Sequence, residues 1–521
     1  NSIFNNTRAD YGGAIYSTNE INIKNSIFNN NIAQEGGAIY GNDLFMSNTT
    51  FINTTSTRYG GAININGGIV SVSNTTFKDI TSGDNGGAIN AKGANVTVSN
   101  STFNNTTSTG NGGAIYNNLG SLSVSNTTFK DTISGDNGGA IYGSTNSKVA
   151  VVDSKFTNCQ AQNNGSDIYS EGKVRLLSNN YDSKTTYSTP AEVYGNSIIN
   201  IVPGSFAEVQ IRIDCTPEFS VLNLPSKKYT AIANDTTITV NKYWIYINGQ
   251  GAILDADKRF GIMSIGSDGN VTIENITFIN GNATGSGNAS GGAIHSEGKA
   301  LTLSDSNFIN TTASGYGGAI YVGSKKSKDS ITNSNFINNT AFIDGGAIYS
   351  KSNVTVINSN FTNTKASNTG GAIYGNINVT VVDSTFKGNI ADNSSGAIYS
   401  GDAAIVKGSI FINTTTTGNG GAIVGKDVAI FASEFVNNTA NIGGAISGTD
   451  VAVINSNFTN STVNSCGAIS GNSVFTFNST FIKTTATIGN GSAISGNNVI
   501  VMNSTFINNT AKTNGGSISA N

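Results

Sequence analysis

Residues 95–103 read "NVTVSNSTF". Val96 and Val98 alternate with Thr97 and Ser99, the period-two pattern of a strand with one buried face. Asn100 keeps the inward phase, but Phe103 is out of step with the valines. A one-residue change of phase requires a corner, and it falls at Asn100–Ser101. Together with Ala114–Ile115 a little further on, this stretch predicts three short strands: around Val96–Val98, around Phe103 and around Ala114–Ile115.

The unit recurs along the chain. The Ile of the G-G-A-I-type unit falls at 15, 39, 63, 89, 115, 141 and 168, then at 294, 320, 348, 373, 398, 423, 446, 469, 494 and 518, which makes 17 copies. Steps within each block run from 23 to 28 residues. Such a period means a solenoid, a propeller or an array. A four-stranded propeller blade needs about 40 residues or more, and the Leu-x-x-Leu-x-Leu signature of a horseshoe is absent. Three strands in about 25 residues predict an all-β parallel β-helix.

The residue three before each Phe is nearly constant. It is Asn25, Asn48, Asn74, Asn100, Asn126, Asn275, Asn333, Asn358, Asn455, Asn478 and Asn503, with Asp153, Asp305 and Asp383 in three copies. Asn tolerates left-handed backbone, and its amide both donates and accepts. Stacked at one corner, these side chains are expected to form a structural ladder along the axis, buried at the corner and therefore poor glycan acceptors. The glycine pair suggests positive φ, or a backbone too close to its neighbour for a Cβ.

The pattern breaks between Ile168 and Ile294. We expect a first β-helical segment over 1–182, a cap or linker over 183–228, and a second segment over 229–521. Alternation restarts at "TITVNKYWIYINGQGAILDA", 237–256. That order of strands, glycine turn and first coils resembles the beginning of a pectin-lyase-like β-helix. The chain opens and closes in mid-repeat, "NSIFNNT" and "GGSISAN", so a longer parent chain is expected.

Composition bounds the function. Charged residues make up 11% and the formal net charge is −3, which provides no basic field for nucleic acid. No run of about 18 apolar residues predicts a membrane span. Cys159, Cys215 and Cys466 form no C-x-x-C pair, so no metal site is expected. Asp84, Asp136 and Asp344 precede glycine pairs and read as turn aspartates. Asp255, Asp257, Lys258 and Arg259 form the densest charge group and read as a salt-bridged turn. No paired carboxylates with controlled separation emerge, so no catalytic residue, enzyme activity or cofactor is expected.

The best surface feature is the residue after the motif Ile, which should face outward. It is Tyr at 16, 40, 116, 142, 169, 321, 349, 374 and 399. Tyr321, Tyr349, Tyr374 and Tyr399 would stack on one face, with His295 one coil earlier. Such a stripe would offer a binding platform for sugar rings or protein partners. The plain alternative is that neighbouring rings only stabilise the sheet.

Repeated G-G-A-[ILV] together with F-x-x-N, as at Phe28–Asn31, Phe336–Asn339, Phe386–Asn389, Phe435–Asn438 and Phe506–Asn509, resembles the chlamydial polymorphic outer-membrane proteins. The Asn/Thr-rich form, "FINNTA…GGAIY", is similar to adhesin-like surface proteins of methanogenic archaea. The resemblance implies a right-handed β-helix, an extracellular cell-surface place, and adhesion to host or neighbouring-cell glycans or surface proteins. Two other functions are carried forward. One is self-association into a sheath, layer or filament. The other is a polysaccharide lyase or glycoside hydrolase of the same fold.

Overall fold

The computed structural model describes residues 1–182, 192–285 and 289–520. It is a parallel β-solenoid of the right-handed type, with about 20 turns of ~25 residues, 55% strand and 2% helix. Its compact units are Asn1–Ser220 and Val221–Asn521.

One coil of the second unit shows the plan. Its strands are Ile348–Ser350, Asn353–Ile357, Asn360–Thr362 and Lys365–Ala366. The first three are the expected ones. The fourth is a two-residue strand that buries Ala366 and that the apolar pattern is too short to reveal. Each strand pairs in register with its counterpart one coil away, Ile348 with Ile373 and Phe361 with Phe386.

The phenylalanines fill the interior. Phe336, Phe361, Phe386 and Phe411 are fully buried, and successive rings lie 4.7 Å apart and nearly parallel. Burying one such side chain contributes about 1.5–3 kcal/mol, and each ring pair adds about 0.5–1.5 kcal/mol.

The glycine pair serves two needs. Gly345 has φ +68°, in the left-handed region. A Cβ on Gly346 would lie 2.0 Å from the carbonyl oxygen of Gly371 in the next coil. The first place admits Ser395 and Cys466, both at left-handed φ.

The corner asparagines correct an expectation. Asn25, Asn48, Asn74, Asn100, Asn126, Asn275, Asn333, Asn358, Asn455, Asn478 and Asn503 all have φ between 45° and 54°, yet all are exposed. Their amides bond coil to coil on the outside, as in Asn358 Nδ2 to Asn333 Oδ1 at 2.8 Å and Asn478 Nδ2 to Asn455 Oδ1 at 2.9 Å. The left-handed corner turns the Asn side chain out and the next residue in. Except for Ile276 after Asn275 and the half-buried Ser504 after Asn503, that next residue is a buried Ser or Thr, and the serines carry the interior ladder. The backbone N–H of Ser334 donates to Ser359 Oγ, Ser359 to Ser384, and Ser384 to Ser409, each at 3.1 Å. The F-x-x-N amides are buried instead: Asn31, Asn339, Asn389 and Asn438 are 0% exposed.

Of the segment expected as a cap or linker, 183–191 lie outside the described residues. Val193–Asn200 pairs in parallel with Ile168–Leu177 and extends the first unit by another strand. Helix α1, Phe206–Asp214, follows, with Ser205 accepting from the Glu208 N–H as N-cap. Ile211 of α1 and Cys215 beside it cover Ala150, Val152 and Leu177 on the outer face of the first unit. Arg212 clamps the helix by ion pairs to Asp153 at 2.6 Å and Glu208 at 3.0 Å. Lys228–Thr230 pairs with Trp244–Asp255 in the second unit.

Candidate functional site

The motif tyrosines gather into one column. His295, Tyr321, Tyr349, Tyr374 and Tyr399 are partners in register on successive coils. Their ring centroids are 4.7, 5.6, 4.8 and 4.7 Å apart in that order. The spacing is set by the coils, because in-register parallel strands lie about 4.8 Å apart.

The stack covers itself. Tyr321 is 7% and Tyr349 is 9% exposed, so their ring faces are closed by the next ring and by neighbouring side chains. At Tyr321 and Tyr349 the column is therefore a closed stack rather than an open platform, while Tyr374 and Tyr399 are half-buried. Tyr316, which precedes a glycine pair, leans over Tyr349 at 4.6 Å. Lys351 Nζ lies 5.5 Å from the centre of the Tyr321 ring. His295 is held from both sides, Nδ1 with the Ser290 carbonyl at 3.0 Å and Nε2 with Glu297 at 3.4 Å. Burial, then the neighbouring phenols, push the Tyr349 hydroxyl well above its ordinary pKa. For the same reasons Tyr374 is pushed up to about 12.

The scattered acids fall in separate places. Asp344 accepts from Asn368 Nδ2 at 2.7 Å and from the Thr369 N–H at 3.0 Å. Asp255 is buried, which by itself raises its pKa. Lys228 at 2.8 Å and Asn280 at 2.9 Å outweigh that and hold it below the usual carboxylate range. Arg259 pairs with Asp257 at 3.3 Å. Arg259 and His295 line a shared cleft of about 340 Å³. Among the described residues no three His, Cys, Asp or Glu side chains gather to hold a metal. No described helix is long and apolar enough to cross a membrane.

A second surface was not foreseen. Ile405, Ala429, Ala452, Phe475 and Ile500 are register partners on the outer face of the second unit. They line a shallow groove of about 640 Å³, rimmed by Asp427 and Asp450. Ile405 is 45% and Ile500 is 57% exposed. Alternation along one strand hides this feature, since only stacking the coils shows that the outward residues are apolar in succession.

Comparison with known families returns two short stretches, 25–42 and 333–351, which match the Chlamydia polymorphic membrane protein repeat. These coils are similar to that repeat. Each matched stretch runs from a left-handed corner Asn, through the buried F-x-x-N amide of Asn31 or Asn339, to the motif Tyr40 or Tyr349. The polymorphic membrane protein repeat thus coincides with one corner, one interior Phe and one glycine-led strand. No curated protein matches the chain.

Proposed function

We propose that this protein is an adhesin-like or structural component of a cell surface, extracellular and non-enzymatic. The observation that carries the reading is the likeness of two coils to the polymorphic membrane protein repeat, on a solenoid that repeats the same joints throughout both units. The Asn/Thr-rich coils support the finer likeness to adhesin-like surface proteins of methanogenic archaea. The action is display: stacked coils hold polar and aromatic columns toward host or neighbouring-cell glycans or surface proteins. Many weak contacts of this kind add through multivalency. The test is attachment of cells to the immobilised protein, with released reducing and unsaturated sugar ends measured in the same wells. Attachment without release supports display. Release of sugar ends overturns the non-enzymatic reading and favours a lyase or hydrolase.

The apolar groove at Ile405, Phe475 and Ile500 favours a second reading, lateral self-association into a layer or filament. Exposed apolar area of this kind marks interaction surfaces. Sedimentation velocity over a range of concentrations tests it. Assembly that Phe475→Asp abolishes supports this reading, and a monomer at every concentration overturns it.

A further inference from the structure

The tyrosine column of the first unit is interrupted. Coil by coil it holds Tyr16, Tyr40, Asn64, Asn90, Tyr116, Tyr142, Tyr169 and Tyr194. The rings of Tyr16 and Tyr40 stack at 5.4 Å, and those of Tyr116 and Tyr142 at 5.0 Å. Between Tyr40 and Tyr116 two rings are missing. Three coil steps of about 4.8 Å separate these tyrosines by roughly 14 Å along the axis.

The space left is a notch of about 320 Å³, at the small end of the range for ligand sites. Its floor is polar and nearly closed to solvent, with Asn64 1% and Asn90 7% exposed. The floor is also built. Asn90 Nδ2 donates to Asn64 Oδ1 at 2.6 Å, Asn64 Nδ2 donates to Glu35 Oε2 at 3.0 Å, and Arg58 pairs with Glu35 at 3.3 Å. Tyr59 and Tyr116 are aromatic walls of the notch. Three groups in the lining are left unused within the described residues: Asn90 Oδ1 as an acceptor, and Lys92 Nζ and Asn118 Nδ2 as donors.

We propose that this notch binds a pyranose ring of a saccharide. A pyranose is a disc about as thick as one missing ring. It has an apolar C–H face for Tyr116 and a rim of hydroxyls that both donate and accept. Those hydroxyls match the mixed set of Asn90, Lys92 and Asn118. A purely aromatic ligand fits worse, because it would bury the Asn90 carbonyl and the donors beside it without partners. The assignment names a ligand class for the display function above and rests on that reading.

The experiment fills the notch with the rings it lacks. The full chain is mixed with galactose, mannose, N-acetylglucosamine or glucuronic acid, and saturation-transfer NMR reads protein contact at the sugar C–H protons. The proposal expects transfer to at least one sugar. It expects a loss of at least about tenfold in affinity in the double variant Asn64→Tyr, Asn90→Tyr, which completes the column. Tyr116→Leu, which keeps that wall apolar without the ring, should give the same loss. Circular dichroism of each variant checks that the coils are intact. No transfer to any of the four sugars overturns the proposal, as does transfer that persists in a folded double variant. Sugar binding by a protein to which no cells attach would overturn display and leave the notch standing. Cell attachment without sugar binding would do the reverse.

Discussion

Asn339 and Thr311 join neighbouring coils through one side chain. Asn339 Oδ1 accepts from the Thr311 backbone N–H at 3.2 Å and from its hydroxyl at 2.6 Å. The same amide donates from Nδ2 to the Phe308 carbonyl at 3.1 Å. All of this is buried, so no water can substitute. Asn339→Leu takes the partner from two donors of Thr311 and from the Phe308 carbonyl, and a buried group left unpaired costs about 1–3 kcal/mol. The expected result is faster hydrogen exchange at the Thr311 amide and an earlier urea midpoint. Unchanged exchange there would show that the joint does not depend on the amide.

Gly346 is the point of closest approach between coils. In Gly346→Val the new Cβ meets the Gly371 carbonyl and the Lys365 backbone at 2.7 Å or less. Backbone cannot move aside as a flexible side chain can. A loss of about 1–3 kcal/mol is expected. Because each coil contacts mainly its neighbours, the damage should be local. Limited proteolysis should open new cuts near 344–371 and spare distant coils.

Asp329 occupies an inward place that Leu301 and Val354 fill on neighbouring coils. Ser327 and Ser352 donate hydroxyls to it at 2.5 and 2.7 Å, and the Leu301 N–H donates at 3.3 Å. Burial outweighs these bonds and raises its pKa. A carboxyl raised in the folded state stabilises below its unfolded pKa, about 3.9, and loses that contribution as pH rises through the folded value. Asp329→Asn removes the titration. Melting temperatures of wild type and variant should converge in acid and diverge as pH rises, with the variant higher. A constant difference across that range would rule out titration of Asp329 as the cause.

Tyr374 gives the opposite end of the pH scale. Its phenol is pushed up to about 12, against about 10 in an unfolded chain. The neutral phenol therefore contributes stability that is complete below about pH 10 and lost as pH rises toward 12. Ultraviolet titration should show late-ionising phenols, Tyr349 among them, and Tyr374→Phe should remove one phenol from that late amplitude. Replacing Tyr349 by Ala opens one face of Tyr374 and should move that late titration down.

The solenoid was legible because its signal is periodic: the glycine pair, the Phe and the corner Asn recur at one spacing. The direction of side chains at the corner was not. Asn at a left-handed turn and Asn in the interior are the same letter, and the exposed column was mistaken for the buried one. The serines beside Asn333, Asn358 and Asn478 carried the interior ladder unnoticed, since Ser is common in every loop of this chain. Tyr321 and Tyr349 were rightly placed side by side, yet adjacency in register also closes their faces. The Asn64–Asn90 gap is visible in the repeat as two coils without Tyr. Its meaning depends on Lys92, two residues after Asn90 on the same strand, and on Glu35 and Asn118, which belong to other coils.

The serine ladder also bears on how such a chain can change over generations. From Ser306 to Ser504 the rungs all run the same way, from the amide of one serine to the hydroxyl of the serine one turn later, as in Ser334 to Ser359 and Ser359 to Ser384. A complete turn spliced between two rungs finds the same donor below it and the same acceptor above it. Gene segments can therefore be duplicated or dropped in multiples of one turn without spoiling the joints on either side. The near copies "NTTFKDITSGDNGGAI" and "NTTFKDTISGDNGGAI", at 74–89 and 126–141, have the form that such duplication leaves. Reach becomes a heritable quantity, adjustable in steps of one turn, while the local chemistry of each turn stays as it was.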